Sequence, residues 1–233
     1  MNPFIRNQVL LGNQFIKIQR GSVAIIGLGG VGSHAAMALS RMGLGRLILM
    51  DPDTIKTSNF NRHAQGFTRH LGKNKAEAIK EEILSFRSMD ILTIARGYDS
   101  CEEDALFSED FDLLIDCIDV MTYKLRLLEA CQKRKIPFIS SLGTGNRLKP
   151  TELEITTLYK SEGCPMARVL RKEARKREME DFPVVLSREK AKNLVLEEKD
   201  GSRHLPASSY FTPAAAGQLL AYWAIERLLE KDY

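Results

Sequence analysis

Paired cysteines are missing from this sequence of 233 residues. It contains no C-x-x-C pair, and its cysteines stand alone at Cys101, Cys117, Cys131 and Cys164. Because structural zinc sites draw on closely spaced cysteines, we do not expect such a site. Cys117 and Cys131 fall in apolar patterns that indicate core positions, and disulfides are not expected in a reducing compartment.

Long hydrophobic runs and a strong charge of one sign are missing as well. No run approaches the ~20 apolar residues that would span a bilayer. Residues 1–15 lack the basic and then apolar pattern of a secretion signal, so we expect a cytoplasmic protein with no membrane partner. The net charge of +4 is too small to indicate nucleic-acid binding by itself. With 44% hydrophobic and 27% charged residues, the chain has the composition of an ordinary globular protein.

A glycine-rich turn lies between two apolar runs near the start of the chain. Residues 23–26 predict a buried strand, residues 35–42 have helical spacing, and residues 47–50 predict a second strand that ends at Asp51. The turn carries Gly27, Gly29, Gly30 and Gly32. Glycines let the backbone approach phosphates at a helix N-terminus, and an acid about 20 residues on can hold ribose hydroxyls. The pattern predicts a nucleotide-binding βαβ unit, with a tightly packed glycine turn as the alternative.

A polar segment follows Asp51 where a plain dinucleotide fold would turn directly into its next helix. It carries Asp53, Asn59, Arg62 and, at the start of the next predicted helix, Lys75. Two cations beside the phosphate side of the turn suit a triphosphate better than a nicotinamide. The alternative is a solvated basic loop. His63 and His70 are interpreted as surface or packing histidines, since no third ligand is placed for a metal.

Two acids end a later buried strand, predicted over residues 111–119. They are Asp116 and Asp119. Ligands bind at the carboxyl ends of strands in open α/β sheets, and an acid there can hold Mg²⁺ that bridges phosphates. We favour Asp119 for the metal because it lies further out. The alternative for Asp116 is helix capping or a packing hydrogen bond.

The second half of the chain is less sharply patterned. Residues 165–176 predict a helix whose basic side chains include Arg168, Arg171, Lys172 and Arg175. They form either a contact for a nucleic-acid backbone or a solvated basic face. Residues 178–206 predict a mobile loop, and residues 209–229 predict a turn and a strongly apolar helix that contains Trp223.

These patterns predict an α/β fold, a Rossmann-like doubly wound sheet with helices on both faces and a C-terminal helical and loop elaboration. We expect a single domain over residues 1–233. Within it, residues 1–20 form an N-terminal helical arm, residues 21–145 form the nucleotide-binding core, and residues 146–233 form the elaboration with the basic helix and the loop.

Four features together resemble the E1-like superfamily, the ATP-dependent adenylating enzymes related to ubiquitin activators. They are GLGGVGS at 27–33, the acid Asp51, the Asn-x-x-Arg segment at 59–62 with Lys75 downstream, and DCID at 116–119. The resemblance implies that Asp51 holds the ribose, that phosphates are held by Asn59, Arg62 and Lys75, and that Asp119 helps to hold Mg²⁺. Arg6 resembles the arginine that reaches into the neighbouring subunit's site in dimeric members, which implies a homodimer.

The remaining segments resemble the tRNA threonylcarbamoyladenosine dehydratases within that superfamily. They are residues 143–177, VVLSRE at 184–189 and the FTPAAAG turn at 211–217. This resemblance implies a tRNA substrate, with ATP activating the threonyl carboxylate of a modified adenosine, and it leaves open a sulfur-transfer protein as a further partner. Some members carry a cysteine just before the segment that matches VVLSRE. Here residues 181–183 contain no thiol and Cys164 lies elsewhere, so we assign no catalytic cysteine.

Three other functions remain as alternatives. The first is an enzyme that adenylates the C-terminus of a ubiquitin-like sulfur carrier, although such relatives usually bear zinc C-x-x-C pairs. The second is an NAD(P)-dependent oxidoreductase, against which the cations Arg62 and Lys75 argue. The third is a degenerate nucleotide-binding tRNA scaffold, which the intact set of polar residues at the turn disfavours.

Overall fold

A computed structural model describes residues 2–98, 103–197 and 204–231 of the chain. The longer helices are α1 (Ile5–Leu11), α2 (Phe15–Arg20), α3 (Gly32–Met42), α4 (Lys75–Leu84), α5 (Glu103–Phe107), α6 (Met121–Lys133), α7 (Pro165–Lys176) and α8 (Phe211–Glu230). The 3₁₀ turns are Gly12–Gln14, Thr57–Asn59, Thr68–His70, Pro150–Glu152 and Leu158–Lys160. Within the described residues, no helix is both long and apolar enough to cross a membrane.

The sheet has seven strands in the order β3-β2-β1-β4-β5-β7-β6. Their bounds are β1 (Ser22–Ile26), β2 (Arg46–Met50), β3 (Asp90–Ile94), β4 (Leu113–Asp116), β5 (Phe138–Ser141), β6 (Leu153–Thr157) and β7 (Pro183–Ser187). The strand pairs are parallel except β6 with β7, which is antiparallel. The chain runs outward from β1 to β3 and then returns to β4 beside β1, so the strand order reverses between β1 and β4. Ligands bind at such a reversal point.

Each face of the sheet is covered by its own apolar cluster. On one face α3, α4 and α8 contribute buried side chains such as Leu39, Ile79 and Leu220. On the other face α6 and α7 contribute Leu128 and Leu170. Strands buried on both faces read as near-continuous apolar runs, as β1 and β2 do. The predicted doubly wound sheet with helices on both faces is therefore confirmed.

The predicted N-terminal helical arm consists of two short helices, α1 and α2, joined by a 3₁₀ turn. Gly12 adopts a positive φ of 55° and separates α1 from α2. None of the residues of α1 is buried, whereas Phe15 and Ile18 of α2 lie in the core. The arm is thus anchored mainly through α2, while α1 contributes a 2.9 Å hydrogen bond from Asn7 Nδ2 to the carbonyl of Arg41 and the partly buried Leu11.

The prediction of a mobile loop over residues 178–206 is wrong for strand β7. This strand lies inside the sheet between β5 and β6, and Val184, Val185 and Leu186 are fully buried. A strand that is buried on both faces has no polar and apolar alternation, so a periodicity criterion overlooks a short one. Further along, β8 (Val195–Glu197) and β9 (His204–Pro206) pair as an antiparallel two-stranded sheet. Residues 198–203 of the predicted loop lie outside the described residues, as does Cys101.

Candidate nucleotide-binding site

The glycine turn joins β1 to α3 at the point where the strand order reverses. Gly27 has a φ of +92°, and a Cβ built on it would lie 2.7 Å from the carbonyl oxygen of Cys117 in the loop after β4. A Cβ on Gly32 would lie 1.9 Å from the carbonyl oxygen of Gly27. These two glycines therefore permit the close approach of the turn to β4 and to itself. A Cβ on Gly29 would meet a single atom within 4 Å, the Nε2 of His63, so Gly29 borders open space.

Asp51, at the end of β2, holds the turn in place. Its Oδ2 accepts a 2.6 Å hydrogen bond from the backbone N–H of Leu28, and its Oδ1 accepts a 2.9 Å bond from the N–H of Asp53. Burial raises the pKa of Asp51, while the charge of Lys75 and the backbone donors act in the opposite direction. The carboxylate is thus fixed in orientation, and each oxygen retains a lone pair for a further donor such as a ribose hydroxyl.

Lys75 is the cation that lies between the two predicted acids, Asp51 and Asp53. It is the first residue of α4 and is 8% exposed, and its Nζ lies 2.7 Å from Asp53 Oδ2 and 3.6 Å from Asp51 Oδ1. The preceding Asn74 caps α4 by accepting from the N–H of Ala76, and its Nδ2 donates to the carbonyl of Asp51. The start of α4 is therefore bonded to the end of β2, which places the ammonium group beside the turn.

Arg62 approaches the turn from the polar segment. Its stem packs on Gly30, where a Cβ would lie 3.2 Å from Arg62 Cγ. Its Nη1 donates to the carbonyl of Ser58 and to Asn61 Oδ1. The salt bridges among the described residues include none with Arg62, so its positive charge is not neutralised by a carboxylate there. Asn59 is buried, and its Oδ1 accepts a 3.0 Å bond from the N–H of Lys56.

Three further hydrogen bonds fasten the polar segment to the turn, and sequence reasoning missed their donors and acceptors. The N–H of Ala64 donates to Ser33 Oγ at 3.1 Å, Gln65 Nε2 donates to the carbonyl of Leu28 at 3.0 Å, and His34 Nε2 lies 3.1 Å from the carbonyl of Arg62. The only sequence signal was the presence of polar residues in the otherwise apolar first turn of α3. These bonds fix the backbone that carries Arg62.

The C-terminal helix α8 closes the other side of the turn. A Cβ on Gly217 would lie 2.5 Å from the carbonyl oxygen of Val31, so only glycine allows α8 to pack this closely on the start of α3. Near the beginning of α8, Pro213 lies against Gly30. The ring of Tyr210 stands at 89° to that of His34, with 5.2 Å between the ring centroids.

The two acids of the DCID segment differ in their surroundings. Asp116 is fully buried and accepts hydrogen bonds from Lys124 Nζ, Ser140 Oγ and the N–H of Ile118. Lys124 is fully buried as well, and it also donates to Ser140 Oγ and to the carbonyl of Ser141. Asp116 is therefore a packing residue, one of the alternatives considered for it. Lys124 was missed because a lysine in an amphipathic helix is normally exposed.

Asp119 lies beyond the end of β4, is exposed, and makes no hydrogen bond or ion pair within the described part of the chain. The described residues also contain no group of three or more His, Cys, Asp or Glu side chains that could hold a metal ion. A single open carboxylate suits Mg²⁺ only when substrate phosphates complete the coordination.

The basic residues of α7 fall into two groups. Arg171 is half-buried, and its Nη1 donates to the carbonyl and to the Oγ of Ser161. Arg168, Lys172 and Arg175 are exposed and follow an i, i+4, i+7 pattern on one side of the helix. The Arg175 guanidinium lies 5.2 Å from the ring centroid of Tyr159. We call Arg168, Lys172 and Arg175 the basic stripe.

Arg6 lies apart from this constellation, and no described cysteine is assigned a role in it. Arg6 is an exposed residue of α1, and no hydrogen bond or ion pair within the described residues involves its side chain. Cys164 is buried at the start of α7. Burial raises the pKa values of the Cys117 and Cys131 thiols, which keeps them protonated at neutral pH. These two thiols are therefore poor nucleophiles in the folded chain.

Comparison with known proteins identifies the family. A curated relative from Bacillus subtilis, a tRNA threonylcarbamoyladenosine dehydratase, is 29% identical over 99% of this chain and 96% of its own length. The Escherichia coli protein of the same name is 32% identical over 70% of this chain and 60% of its own length. The crystal structure of the E. coli tRNA N6-threonylcarbamoyladenosine dehydratase in complex with ATP has a TM-score of 0.87 and 24% identity, and the match covers 97% of this chain and 93% of that one. The ThiF family model matches residues 6–232, and the chain therefore belongs to the ThiF family.

Proposed function

We propose that this protein is an ATP-dependent dehydratase that activates the carboxylate of threonylcarbamoyladenosine in tRNA and forms the cyclic derivative. The observation that carries the proposal is the convergence of Arg62, Lys75 and Asp51 on the glycine turn of a ThiF-family chain. The relatives named tRNA threonylcarbamoyladenosine dehydratase support the substrate, and the ATP complex of the E. coli protein supports the nucleotide.

Adenylation answers the chemical problem that this reaction presents, because a carboxylate is a poor electrophile. A carboxylate oxygen of the threonyl group attacks the α-phosphorus of ATP, the bond to the β-phosphate oxygen breaks, and pyrophosphate leaves. A nucleophile of the same modified nucleoside then attacks the acyl adenylate, loses its proton and expels AMP. The net change in the nucleoside is the loss of one water. Because the ring-closing nucleophile belongs to the substrate, no enzyme nucleophile is required.

The protein's part is to position the reactants and to neutralise charge. Lys75 and Arg62 would stabilise the negative charge that develops on the departing pyrophosphate, and Asn59 would line the phosphate site. Asp51 would orient the ribose. Asp53 would form an ion pair with Lys75 until a phosphate of the nucleotide takes the place of the Asp53 carboxylate. Gly27, Gly29, Gly30 and Gly32 would let the phosphates approach the backbone. Asp119 would hold Mg²⁺, which when bound neutralises phosphate charge.

A homodimer would supply one more cation. The arm carries Arg6 on α1 beside apolar side chains that are exposed in the single chain: Ile5 is 54%, Val9 79% and Leu10 77% exposed. Apolar side chains clustered on an otherwise solvated helix are typical of a surface that a partner covers. We propose that a second copy covers this face and receives Arg6 into its nucleotide site.

The basic stripe would contact the tRNA backbone. Its three cations are exposed and are not paired with carboxylates in the described part of the chain, so they remain available to phosphates. Arg171, which was predicted to contact tRNA with them, has its guanidinium bonded to Ser161 and is assigned here to the packing of α7.

The decisive experiment incubates tRNA that contains threonylcarbamoyladenosine with the protein, ATP and Mg²⁺, and analyses a nuclease digest by mass spectrometry. We expect the modified nucleoside to lose the mass of one water only when ATP is present. The controls are Arg62→Ala and Lys75→Ala. If the tRNA is unchanged while ATP is bound, and a ubiquitin-like carrier instead stimulates pyrophosphate exchange, the substrate assignment is wrong and the carrier-adenylating alternative replaces it.

A further inference from the structure

His63 sits inside the candidate nucleotide site, although sequence reasoning placed it on the surface or in the packing. It follows Arg62 and is only 7% exposed. Its Nδ1 is buried without a hydrogen-bond partner among the described residues. Buried polar atoms are nearly always bonded, because an unmade bond costs the full desolvation of the group. No hydrogen bond among the described residues involves the other ring nitrogen, Nε2, either. Nε2 is the nitrogen that borders the glycine turn, so it is available to a partner that those residues do not supply.

The open space over Gly29 lies next to this ring. A Cβ on Gly29 would have His63 Nε2, at 4.0 Å, as its single neighbour within 4 Å. Gly27 and Gly32 are instead tightly enclosed by backbone atoms. The space bordered by Gly29 and the imidazole is thus the part of the turn where a ligand can approach the backbone.

The charges around the imidazole determine which ligand atoms suit it. Arg62 adjoins it in sequence, Lys75 of α4 and His34 of α3 face it, and Asp53 provides the opposing negative charge. Burial and the cations lower the pKa of His63 to about 3, and Asp53 only partly offsets them. The ring is therefore neutral at physiological pH, with one nitrogen as donor and one as acceptor. A neutral imidazole near Arg62 and Lys75 can donate a hydrogen bond to an anionic oxygen without electrostatic repulsion from these two cations.

We propose that His63 is a nucleotide-binding residue whose Nε2–H donates a hydrogen bond to a phosphate oxygen of the adenine nucleotide lying over Gly29. This inference rests on the proposed function insofar as the ligand is an adenine nucleotide. It adds a neutral hydrogen-bond donor to the proposed phosphate site, beside the cations Arg62 and Lys75 and the amide of Asn59.

Isothermal titration of the full-length protein with Mg-ATP tests the proposal through three variants. His63→Phe keeps the volume of the ring and removes the donor, and we expect its ATP affinity to fall about tenfold or more, as for a lost hydrogen bond to a charged group. His63→Gln keeps an N–H donor and should stay within about threefold of wild type. The matched control is His70→Gln, since His70 is also buried but bonds Glu82 away from the turn.

The outcomes separate this inference from the proposed function. If His63→Phe binds ATP as tightly as wild type does, while thermal denaturation shows both folded, His63 is a packing residue and the inference is wrong. Loss of affinity in His70→Gln of the same size would also overturn it, because the effect would then be one of general stability. If wild type itself binds no ATP, the proposed function fails first, and the tRNA assay fails with it.

Discussion

Removal of the basic stripe should change how tRNA binding responds to salt. The triple variant Arg168→Ala, Lys172→Ala, Arg175→Ala removes three exposed cations from one side of α7 and leaves the buried side chains of that helix in place. Because a cation bound to phosphate releases condensed counterions, each such contact contributes about 0.7 to 0.9 to the slope of log K against log salt. Three contacts predict a slope that is shallower by about 2 to 3 units.

That slope converts into a measurable difference in affinity. Between 50 and 200 mM KCl the salt concentration rises fourfold, so wild type should lose roughly 20- to 40-fold more affinity than the triple variant. The assay is fluorescence anisotropy of labelled tRNA titrated with protein at several KCl concentrations, without ATP. The charge-neutral control is Glu173→Ala with Lys176→Ala, which removes an ion pair of 2.9 Å from the same helix. Its slope should equal that of wild type.

A triple variant with a wild-type slope would refute this assignment and return the stripe to a solvated face. A control with an equally altered slope would refute it too, because the effect would then follow from α7 as a whole. An intermediate slope, shallower by about one unit, would assign a single phosphate contact to the stripe.

The other predictions concern the nucleotide site and its support. Arg62→Ala and Lys75→Ala should each lower the rate of pyrophosphate release by about 10²-fold, as for loss of one charge donor in a transition state, and wild-type rates in both would remove them from the site. Gly217→Ala should lower the free energy of unfolding by about 1–3 kcal/mol in urea titrations, because the new Cβ would be forced against the backbone of α3, and an unchanged midpoint would mean that α8 can shift. His63 has a folded pKa of about 3 against 6.5 when unfolded, so the unfolded state takes up the proton first as the pH falls. The contribution of His63 to the free energy of unfolding is therefore fully present above pH 6.5 and is lost as the pH falls toward 3. Between pH 7 and pH 5 the free energy of unfolding should fall by about 2 kcal/mol more in wild type than in His63→Gln. Equal losses in the two proteins would contradict a buried neutral imidazole.

The order of elements around the glycine turn could be predicted because local signals and burial agree there. Residues 23–26 and 47–50 are apolar throughout, as strands covered on both faces must be, and glycines stand between them where the turn approaches β4. Asp51 was predicted to bind ribose hydroxyls because an acid stands at the end of the second strand of this unit. Its bonds to the N–H groups of Leu28 and Asp53 add that it also shapes the turn.

The residues that were missed depend on contacts between distant parts of the chain. Lys124 is fully buried only because strand register places Asp116 and Ser140 within reach of its ammonium group, and no feature of α6 alone indicates that pairing. Arg171 is a different case, since it lies next to the buried Leu170 and three residues before the buried Ala174. Its position on the helix, near these buried residues, could have separated Arg171 from the exposed basic stripe, but the prediction used only the number of basic residues.

Helix α8 has a consequence for the order in which the protein matures on the ribosome. The glycine turn and β1 are made well before Gly217 and Pro213, which pack on that turn. The side chain of Lys17 donates a 2.8 Å hydrogen bond from Nζ to the backbone carbonyl of Leu229, so α8 also contacts the arm. A nascent chain that ends before residue 210 therefore has all of the proposed phosphate-binding side chains but lacks the helix that packs against the glycine turn. Nucleotide affinity should accordingly arise in a single step of translation, after α8 has been made and has left the exit tunnel.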